Sequence, residues 1–175
     1  AEAKAWLWPA AALAFFAALR VSGVTVFWGD LSYIHHPWRA RIAQQLAEGR
    51  APHWNPFVYL GMPLAGEMQS AAWYPGTLPF FVFGFETALS LYLGLHYALA
   101  ALFAYLWLKR GGASVAASLG GAAAYAFTGI LASRVPFLNH LSTLALLPAL
   151  LLFAERPWLI GLTAALAFLS GYPLM

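Results

Sequence analysis

Residues 6–27 read WLWPAAALAFFAALRVSGVTVF, an apolar run with a single charged side chain, Arg20. At a rise of about 1.5 Å per residue, a helix of this length crosses a hydrocarbon core of about 30 Å. A cleavable signal peptide is the alternative interpretation. The run is longer than the roughly 7–15 apolar residues of such a peptide, and no cleavage site of small residues follows it. The run therefore predicts a first transmembrane helix.

The chain as a whole is strongly apolar. Of 175 residues, 62% are hydrophobic and 9% are charged, whereas soluble domains carry about 25% charged residues. Four more apolar runs follow, at residues 86–108, 114–133, 140–154 and 158–170. We therefore predict an all-α membrane protein with about five transmembrane helices, forming a single domain over residues 1–175. The net charge of +3 is too small to indicate nucleic-acid binding, and without cysteine there is neither a disulfide nor a thiolate metal site.

A long polar stretch, residues 28–77, separates the first two apolar runs. Within it, residues 37–48 read PWRARIAQQLAE, with Pro37 at a first helical position and Gly49 just past the end, a pattern typical of helix start and stop. Apolar side chains recur at every fourth position and polar ones fall on other faces: Trp38, Ile42 and Leu46 against Arg39, Arg41 and Gln45. The pattern predicts a short juxtamembrane helix along the membrane surface.

The basic side chains indicate the orientation. With a cytoplasmic N-terminus, four lie inside and four outside: Lys4, Lys109, Arg110 and Arg156 against Arg39, Arg41, Arg50 and Arg134. The inside group stands in tight turns beside apolar runs, where the positive-inside bias is strongest. Most of the outside group stands in a long loop, where that bias is weaker. We therefore expect a cytoplasmic N-terminus, with residues 28–77 as the first extracytoplasmic loop.

In this orientation the reactive side chains collect on the extracytoplasmic side. They are Asp30, His35, His36, Arg39, Glu67, Gln69, Tyr74, Arg134 and His140. Most charged side chains of a loop only face solvent. Asp30 differs because it comes just after the first apolar run, at a depth where an ionised carboxylate is costly and often functional. Asp30 is therefore the first candidate for a functional side chain.

Two pairs of side chains suggest a metal site. His35 and His36 are adjacent, but neighbouring residues of a helix or strand point in different directions, which disfavours binding of one ion by both. Asp30 and Glu67 could hold Mg²⁺ or Mn²⁺, or act as a base and its partner, although a long segment separates them. The sequence leaves metal dependence open.

Polar and small residues inside the apolar runs have structural explanations. We expect Arg20 and Glu86 to lie near enough to an interface to extend their charged ends to water or to pair. His96 is expected to be buried by hydrogen bonding between helices rather than to be catalytic. In the third run, small residues permit close approach of helices: Ala116, Ala117, Gly120, Gly121 and Ala124.

The loop contains a distinctive order of short motifs. They are Gly29-Asp30, His36-Pro37-Trp38-Arg39, Gly49, Pro52-His53-Trp54-Asn55-Pro56, Gly61-Met62-Pro63-Leu64, Gln69 and Trp73-Tyr74-Pro75. This order resembles the first outer loop of the YfhO family of bacterial multi-spanning membrane proteins. Further landmarks of that family are Leu95-His96, Ala124-Tyr125-Ala126-Phe127-Thr128-Gly129, Arg134, His140, Leu147-Pro148, Glu155-Arg156 and Ser170-Gly171-Tyr172-Pro173. The resemblance therefore covers nearly the whole chain.

The YfhO family is similar to the GT-C glycosyltransferases, which use polyprenyl-phosphate-linked sugars as donors at the outer membrane face. The resemblance implies that Asp30 is a catalytic base, or that it positions the metal or the acceptor. Arg39 and Arg134 are then candidates for binding the donor phosphate, because a guanidinium binds phosphate in a fork. The other candidate site residues are His35, His36, Trp54, Asn55, Glu67, Gln69, Tyr74 and His140.

The function implied is transfer of a sugar from a polyprenyl-phosphate donor to a glycan or lipid acceptor of the cell envelope. The protein would lie in the bacterial cytoplasmic (inner) membrane, with its site on the extracytoplasmic face. Because GT-C modules have more than five spans, we expect the chain to be the N-terminal part of one. A transporter or flippase is one alternative, which an inverted repeat with broken helices near the midplane would indicate. A non-catalytic assembly subunit is the other, with the small residues of the third run as its packing surface.

Overall fold

The computed structural model describes residues 2–172, and in this range the chain is helical and has no β-strand. The helices are α1 (Glu2–Ala5), α2 (Leu7–Val21), α3 (His36–Ala47), α4 (Pro79–Val82), α5 (Phe85–Arg110), α6 (Val115–Ala126), α7 (Gly129–Ser133), α8 (Leu138–Leu152) and α9 (Pro157–Leu169). A π-helical turn, Leu31–His35, leads into α3, and two 3₁₀ turns, Met68–Ser70 and Pro75–Thr77, precede α4. The predicted all-α fold is confirmed.

α5 forms the centre of a helix bundle. It packs against α2, α6 and α8, and α9 packs against α8. Its own signals account for its length. Glu86 in the first turn and Lys109 and Arg110 in the last turn complement the helix dipole, and Gly112, at a φ of +86°, follows the end of the helix. The charged residues in its first and last turns therefore favour a long helix, and α5 is the helix around which the others pack.

Ion pairs at the helix ends distinguish the two ends of the bundle. At one, which we call the loop end, Arg20 of α2 lies 3.7 Å from Glu86 at the start of α5. At the other, the far end, Arg110 pairs with Glu155 and donates to the carbonyl oxygen of Leu152 at 2.7 Å. α2 therefore runs toward the loop end, while α5 and α8 run away from it. Of the two alternatives for Arg20 and Glu86, the structure shows pairing.

Two helical segments of the described chain are long and apolar enough to cross a membrane, Phe85–Arg110 and Val115–Ser133. The second bends at Phe127, where the side chain of Thr128 begins α7 by accepting from the amide of Leu131. α2, α8 and α9 are apolar but have 15, 15 and 13 residues. Their length of about 20 Å is less than the hydrocarbon thickness of about 30 Å. The five spans therefore stay a prediction.

The first helix is shorter than the apolar run that predicts it. α2 ends at Val21, and Gly23 has a φ of +75°, a left-handed conformation that favours glycine. The remaining residues of the run, 24–27, are not helical. Composition therefore predicts where the apolar segment ends, and the turn at Gly23 decides where the helix ends.

α3 matches the predicted helix within one residue at each end, but its buried face differs. Its buried residues are Trp38, Arg39, Ile42 and Gln45. Leu46 is exposed, while the side chain of Gln45 donates to the carbonyl oxygen of Trp54 at 2.8 Å. The expectation that Arg39 and Gln45 lie away from the buried face is wrong. The chain that follows α3 folds back over this side of the helix and supplies partners that periodicity does not reveal.

Gly94 permits a close approach of α2 and α5. A Cβ atom added to Gly94 would lie 3.3 Å from Leu13 Cδ2 and 3.6 Å from both Leu13 Cα and Phe16 Cβ. Residues Leu13 and Phe16 of α2 therefore fill the space that a side chain at position 94 of α5 would occupy. Among the small residues expected to pack in the third run, Gly121 faces Leu108 of α5, whereas a Cβ atom on Gly120 would meet nothing within 4 Å.

We expect Gly94→Leu to destabilise the bundle by about 1–3 kcal/mol, because overpacking forces the helices apart. The measurement is thermal unfolding in detergent. Gly161→Leu is the matched control, since a Cβ atom at this helical glycine meets nothing within 4 Å, and we expect it to be neutral or slightly stabilising. Equal melting temperatures for the two variants would contradict the close α2–α5 contact.

Candidate functional site

Asp30 begins the π-helical turn at the loop end of the bundle. Gly29 before it has a φ of +57°, and its carbonyl oxygen accepts from the amide of Ser32 at 2.9 Å. This turn redirects the chain after α2 and places Gly29 against Pro136, in the segment before α8. Asp30 is half-buried, and its carboxylate does not cap the turn. The local structure therefore leaves the carboxylate available to other groups.

Asp30, Arg134 and His140, which we call the Asp30 group, come together at the loop end. The charges of Asp30 and Arg134 both act on the imidazole of His140. The His140 ring lies 5.4 Å from the Phe137 ring and 3.8 Å from the Tyr172 ring, between centroids. Within the described residues, Nδ1 of His140 and Nε of Arg134 are buried without a hydrogen-bond partner. The group thus combines a carboxylate, an imidazole and a guanidinium that have hydrogen-bonding capacity to spare.

His35 connects the Asp30 group with α3. Its Nε2 atom accepts from the amide of Leu138 at 3.2 Å, and its Nδ1 atom lies 2.8 Å from Nη1 of Arg39. A neutral imidazole accepts at one nitrogen only, so these two donors compete for it. Burial, followed by the charges of Arg39 and His140, holds the pKa of His35 well below its usual 6.5. His35 is therefore neutral at pH 7 and joins the loop to the start of α8.

Arg39 is a buried cation with aromatic neighbours. Its side chain is 1% exposed, and its Cζ atom lies 5.1 Å from the centroid of the Phe80 ring and 5.8 Å from that of Tyr92. Contact with aromatic faces stabilises a guanidinium. Burial lowers the pKa of Arg39 to about 10, so the side chain stays charged at neutral pH. The resemblance gives Arg39 and Arg134 the same role, binding of the donor phosphate. In the structure, His35 is the link between Arg39 and the Asp30 group.

Three further candidates have partners outside the Asp30 group. His36 packs on Phe85, with 4.3 Å between the ring centroids, and so points away from His35 as expected. Glu67 accepts from the amide of Gln69 at 3.4 Å and lines a pocket with the end of α9. The carbonyl oxygen of Gln69 accepts from Nδ2 of Asn139 at 2.8 Å. Pairing of Asp30 with Glu67 therefore stays a prediction.

Trp54 and Asn55 build a tight turn within the loop. Asn55 and Met62 exchange two backbone hydrogen bonds of 2.9 Å, and Oδ1 of Asn55 accepts from the amide of Phe57 at 3.1 Å. The Trp54 ring covers Gly61, whose φ is +116° and where an added Cβ atom would collide with the ring. These contacts show that Trp54 and Asn55 stabilise the conformation of the turn.

Tyr74 ties the loop to the core of the bundle. Its hydroxyl group donates to Nε2 of His96 at 2.7 Å, and Nδ1 of His96 donates to the carbonyl oxygen of Tyr92 at 2.7 Å. A carbonyl oxygen only accepts, so these partners place the imidazole proton on Nδ1. Burial raises the pKa of Tyr74, which keeps its hydroxyl protonated as a donor. His96 is buried and hydrogen-bonded as expected, but its partners are the loop residue Tyr74 and a carbonyl group of its own helix, so the expected hydrogen bond between helices is not the one observed.

Tyr74→Phe should destabilise the protein by about 1–3 kcal/mol, because Nε2 of His96 then stays buried without a donor. For a chain of this size that corresponds to a fall in melting temperature of roughly 2–4 °C for each kcal/mol. Tyr33→Phe is the control, since Tyr33 is 81% exposed. A Tyr74→Phe protein that melts with the wild type would show that the bond contributes nothing.

The residues of the Asp30 group do not suit a divalent metal. Among the described residues, no group of three or more His, Asp or Glu side chains is arranged to hold an ion. Mg²⁺ and Mn²⁺ prefer several oxygen ligands, whereas Asp30 has an imidazole and a guanidinium as neighbours. The Asp30 group therefore offers a base, a hydrogen-bonding ring and a cation rather than a set of oxygen ligands.

Sequence reasoning missed three contributors to the site. Phe137 and Tyr172 enclose the His140 ring, and the amide of Leu138 donates to His35. Tyr172 belongs to a Gly-Tyr-Pro motif, which is a signal for an ordered turn, and free amides are expected in the first turn of every helix. No signal in the sequence distinguishes Phe137 from the many other aromatic residues.

Comparison of the chain with protein-family models, with curated proteins and with solved structures finds no match. The resemblance to the YfhO family therefore stands on the motifs of the chain itself.

Proposed function

We propose that the chain belongs to a membrane glycosyltransferase that moves a sugar from a polyprenyl-phosphate donor to a hydroxyl group of an extracytoplasmic cell-envelope acceptor. The observation that carries the proposal is the Asp30 group. A carboxylate from the first loop and a guanidinium from the segment before α8 both lie near enough to the His140 imidazole, in the first turn of α8, for their charges to act on it. The motifs shared with the YfhO family support the same chemistry, since Asp30 stands where GT-C enzymes have an acidic loop residue.

In this proposal Asp30 is the catalytic base. Its carboxylate accepts the proton of the acceptor hydroxyl while that oxygen attacks the anomeric carbon of the donor sugar. As the new carbon–oxygen bond forms, the bond between the anomeric carbon and the donor phosphate oxygen breaks, and the phosphate leaves with the electron pair. Water then takes the proton from Asp30, and the polyprenyl phosphate departs with the charge it has gained.

Arg134 is the candidate for stabilising the departing phosphate. Negative charge grows on the phosphate oxygen in the transition state, and a guanidinium placed beforehand stabilises it. The Nε atom of Arg134 lacks a partner within the described residues, as does Nδ1 of His140. Both buried atoms therefore have unused hydrogen-bonding capacity. His140, on which the charges of Asp30 and Arg134 both act, is placed to orient the hydroxyl group.

The proposal includes five membrane spans and a loop end on the extracytoplasmic side. Phe85–Arg110 and Val115–Ser133 have the length and composition of spans, and α2, α8 and α9 would complete the five. The loop end would face the extracytoplasmic side of the bacterial inner membrane, with the N-terminus in the cytoplasm. Because a polyprenyl chain stays in the bilayer, its phosphate lies at the membrane surface. The Asp30 group, at one end of the bundle, would meet it there.

Sugar transfer by the full-length protein tests the proposal. The protein is reconstituted in sealed vesicles with a polyprenyl-phosphate hexose labelled in the sugar, and isolated cell-envelope glycan and lipid fractions are added on one side. We expect label on the acceptor fraction, with release of one polyprenyl phosphate for each sugar moved. This should occur only when donor and acceptor are on the side of the vesicle membrane that the loop end of the protein faces.

The two alternatives give different products in the same experiment. A flippase would carry the labelled lipid across the bilayer with the sugar–phosphate bond intact. An assembly subunit would neither transfer nor move the donor, and crosslinking would find a stable protein partner. Either result, obtained with a folded protein, would contradict the proposal that the protein is a glycosyltransferase.

A further inference from the structure

A groove between α5, α6 and α8 extends from the far end of the bundle toward its middle. Its outer section, which we call the far-end pocket, has a volume of about 380 Å³, and Arg110 and Glu155 line it. Its inner section, the apolar pocket, has a volume of about 220 Å³. Trp107, Leu108 and Leu151 line both sections. The remaining lining residues of the apolar pocket are Ala104, Gly121, Tyr125, Leu147 and Pro148. The groove therefore has a charged mouth and an apolar interior.

Pro148 shapes the wall of the apolar pocket. It lies inside α8 and has no N–H group, so the carbonyl oxygen of Leu144 lacks its usual donor within the helix. The hydroxyl group of Tyr125 in α6 donates to this oxygen at 2.6 Å. The carbonyl group that Pro148 leaves free is therefore satisfied, and the pocket offers a mainly apolar surface.

The groove opens on an apolar outer face of the bundle. Phe85–Arg110 is long and apolar enough to cross a membrane, and Trp107 and Leu151 are 42% and 46% exposed. In a bilayer, acyl chains surround such a face, and Trp is typical of the headgroup level. The far-end pocket therefore lies where the headgroup of a lipid would be if one of its chains occupied the apolar pocket.

The ion pair of Arg110 with Glu155 indicates which headgroup fits. The pair is exposed, since 40% of the Arg110 side chain and 82% of the Glu155 side chain are accessible. Exposed ion pairs contribute little to stability, so opening this one costs little. Arg110 also donates to the carbonyl oxygen of Leu152 at 2.7 Å, which holds the guanidinium at the end of α8 independently of Glu155. A molecule with one anionic and one cationic group can therefore insert between the two side chains and give each charge a partner of opposite sign.

We propose that the groove binds a zwitterionic phospholipid with a primary ammonium group, such as phosphatidylethanolamine. The phosphate accepts from the guanidinium of Arg110, the ammonium group donates to the carboxylate of Glu155, and an acyl chain fills the apolar pocket. Phosphatidylglycerol brings the same phosphate but leaves Glu155 without a cation. Phosphatidylcholine has both charges, but its quaternary ammonium group has no N–H to donate. Charge and hydrogen bonding therefore select the ethanolamine headgroup.

This site is separate from the Asp30 group. The groove has its charged mouth at the far end of the bundle, whereas the Asp30 group lies at the loop end. Binding of a phospholipid there requires neither a sugar donor nor an acceptor. The inference therefore goes beyond the proposed function, and failure of either one leaves the other standing.

Native mass spectrometry of the full-length protein, freed of co-purified lipid in detergent, tests the groove. The probes are phosphatidylethanolamine, phosphatidylcholine and phosphatidylglycerol with identical acyl chains, and glycerophosphoethanolamine, which has the headgroup without chains. We expect the first phosphatidylethanolamine to bind about tenfold more tightly than either other phospholipid, the effect of one hydrogen bond between charged groups. Glycerophosphoethanolamine should not bind at the same concentration, because the apolar pocket then stays empty.

Two matched variants connect this preference to the far-end pocket. Glu155→Gln removes the charge that receives the ammonium group. Because the position is exposed, the variant should fold as the wild type does, and we expect its affinities for phosphatidylethanolamine and phosphatidylglycerol to become equal. Glu48→Gln is the control, since Glu48 also forms an exposed ion pair, with Arg50 at the end of α3. It should keep the tenfold preference.

Three results would overturn the proposal. Equal or tighter binding of phosphatidylglycerol by the wild type would show that Glu155 receives no ammonium group. A preference that is unchanged in Glu155→Gln, or lost equally in Glu48→Gln, would place the lipid elsewhere. Failure of all three phospholipids to bind would show that the groove takes no lipid, as when another segment of the full-length protein fills it. The comparison of phospholipids uses the wild-type protein, so it decides the matter even if a variant does not fold.

Discussion

Asp30→Asn is expected to lower the rate of sugar transfer by about 10²–10⁴-fold, the usual contribution of a general base. The amide has the shape of the carboxylate but cannot accept the proton of the acceptor hydroxyl. Its effect on folding should be small, because the Asp30 carboxylate does not cap the turn that it begins. The expected result is therefore a folded protein with almost no transfer.

The control for this variant is Glu48→Gln. Glu48 is exposed, accepts hydrogen bonds from Arg50 and Gln44 at the end of α3, and lies outside the proposed chemistry, so transfer should continue at the wild-type rate. Melting temperatures of both variants, and binding of the donor, establish that the loss is chemical. Undiminished transfer in a normally folded Asp30→Asn protein would remove Asp30 from the mechanism.

Arg134→Gln is expected to lower the rate of sugar transfer by about 10²–10³-fold. Loss of one group that stabilises transition-state charge has an effect of this size in other enzymes. If Arg134 stabilises the departing phosphate, kcat and kcat/KM fall together, whereas loss of ground-state binding would raise KM and leave kcat unchanged. Arg134→Lys keeps the charge without the fork and should recover only a portion of the rate. The measurement is steady-state transfer at varied donor concentration.

Arg156→Gln is the matched control for Arg134. Arg156 is exposed and precedes α9 at the far end of the bundle, so its charge is remote from the Asp30 group. A change in KM alone for Arg134→Gln would redefine Arg134 as a donor-binding residue. Equal rates for Arg134→Gln and the wild type would exclude it from the site.

Local signals account for the elements that sequence predicts well. Pro37 and Gly49 predict α3 within one residue at each end, because helix caps depend on a few neighbouring residues. α5 differs from its predicted range by one residue at the start and two at the end. The all-α fold follows from long apolar runs with few charges. The end of α2 is predicted less well, since residues 22–27 are apolar enough for a helix but contain Gly23 at a left-handed φ.

The candidate site was predicted as a set of side chains without a geometry. Asp30, Arg134 and His140 are each recognisable as polar residues at the ends of apolar runs. Their convergence depends on the packing of α8 against α5 and on the turn at Gly29, which lies against Pro136. Trp54 and Asn55 show the opposite case, since their motif suggested function and their contacts are those of a tight turn.

By itself, the sequence determined an apolar, helical chain whose reactive side chains collect at one end, because composition and helix caps act over neighbouring residues. Only the tertiary structure decided that Asp30 lies near enough to His140, more than a hundred positions along the chain, for its charge to act on the imidazole, and that Arg39 is buried beside the Phe80 and Tyr92 rings. The reason is physical. Helical periodicity predicts which side of α3 is apolar, but the partner of a buried charge comes from whichever segment folds over it, and that is set by contacts between distant parts of the chain.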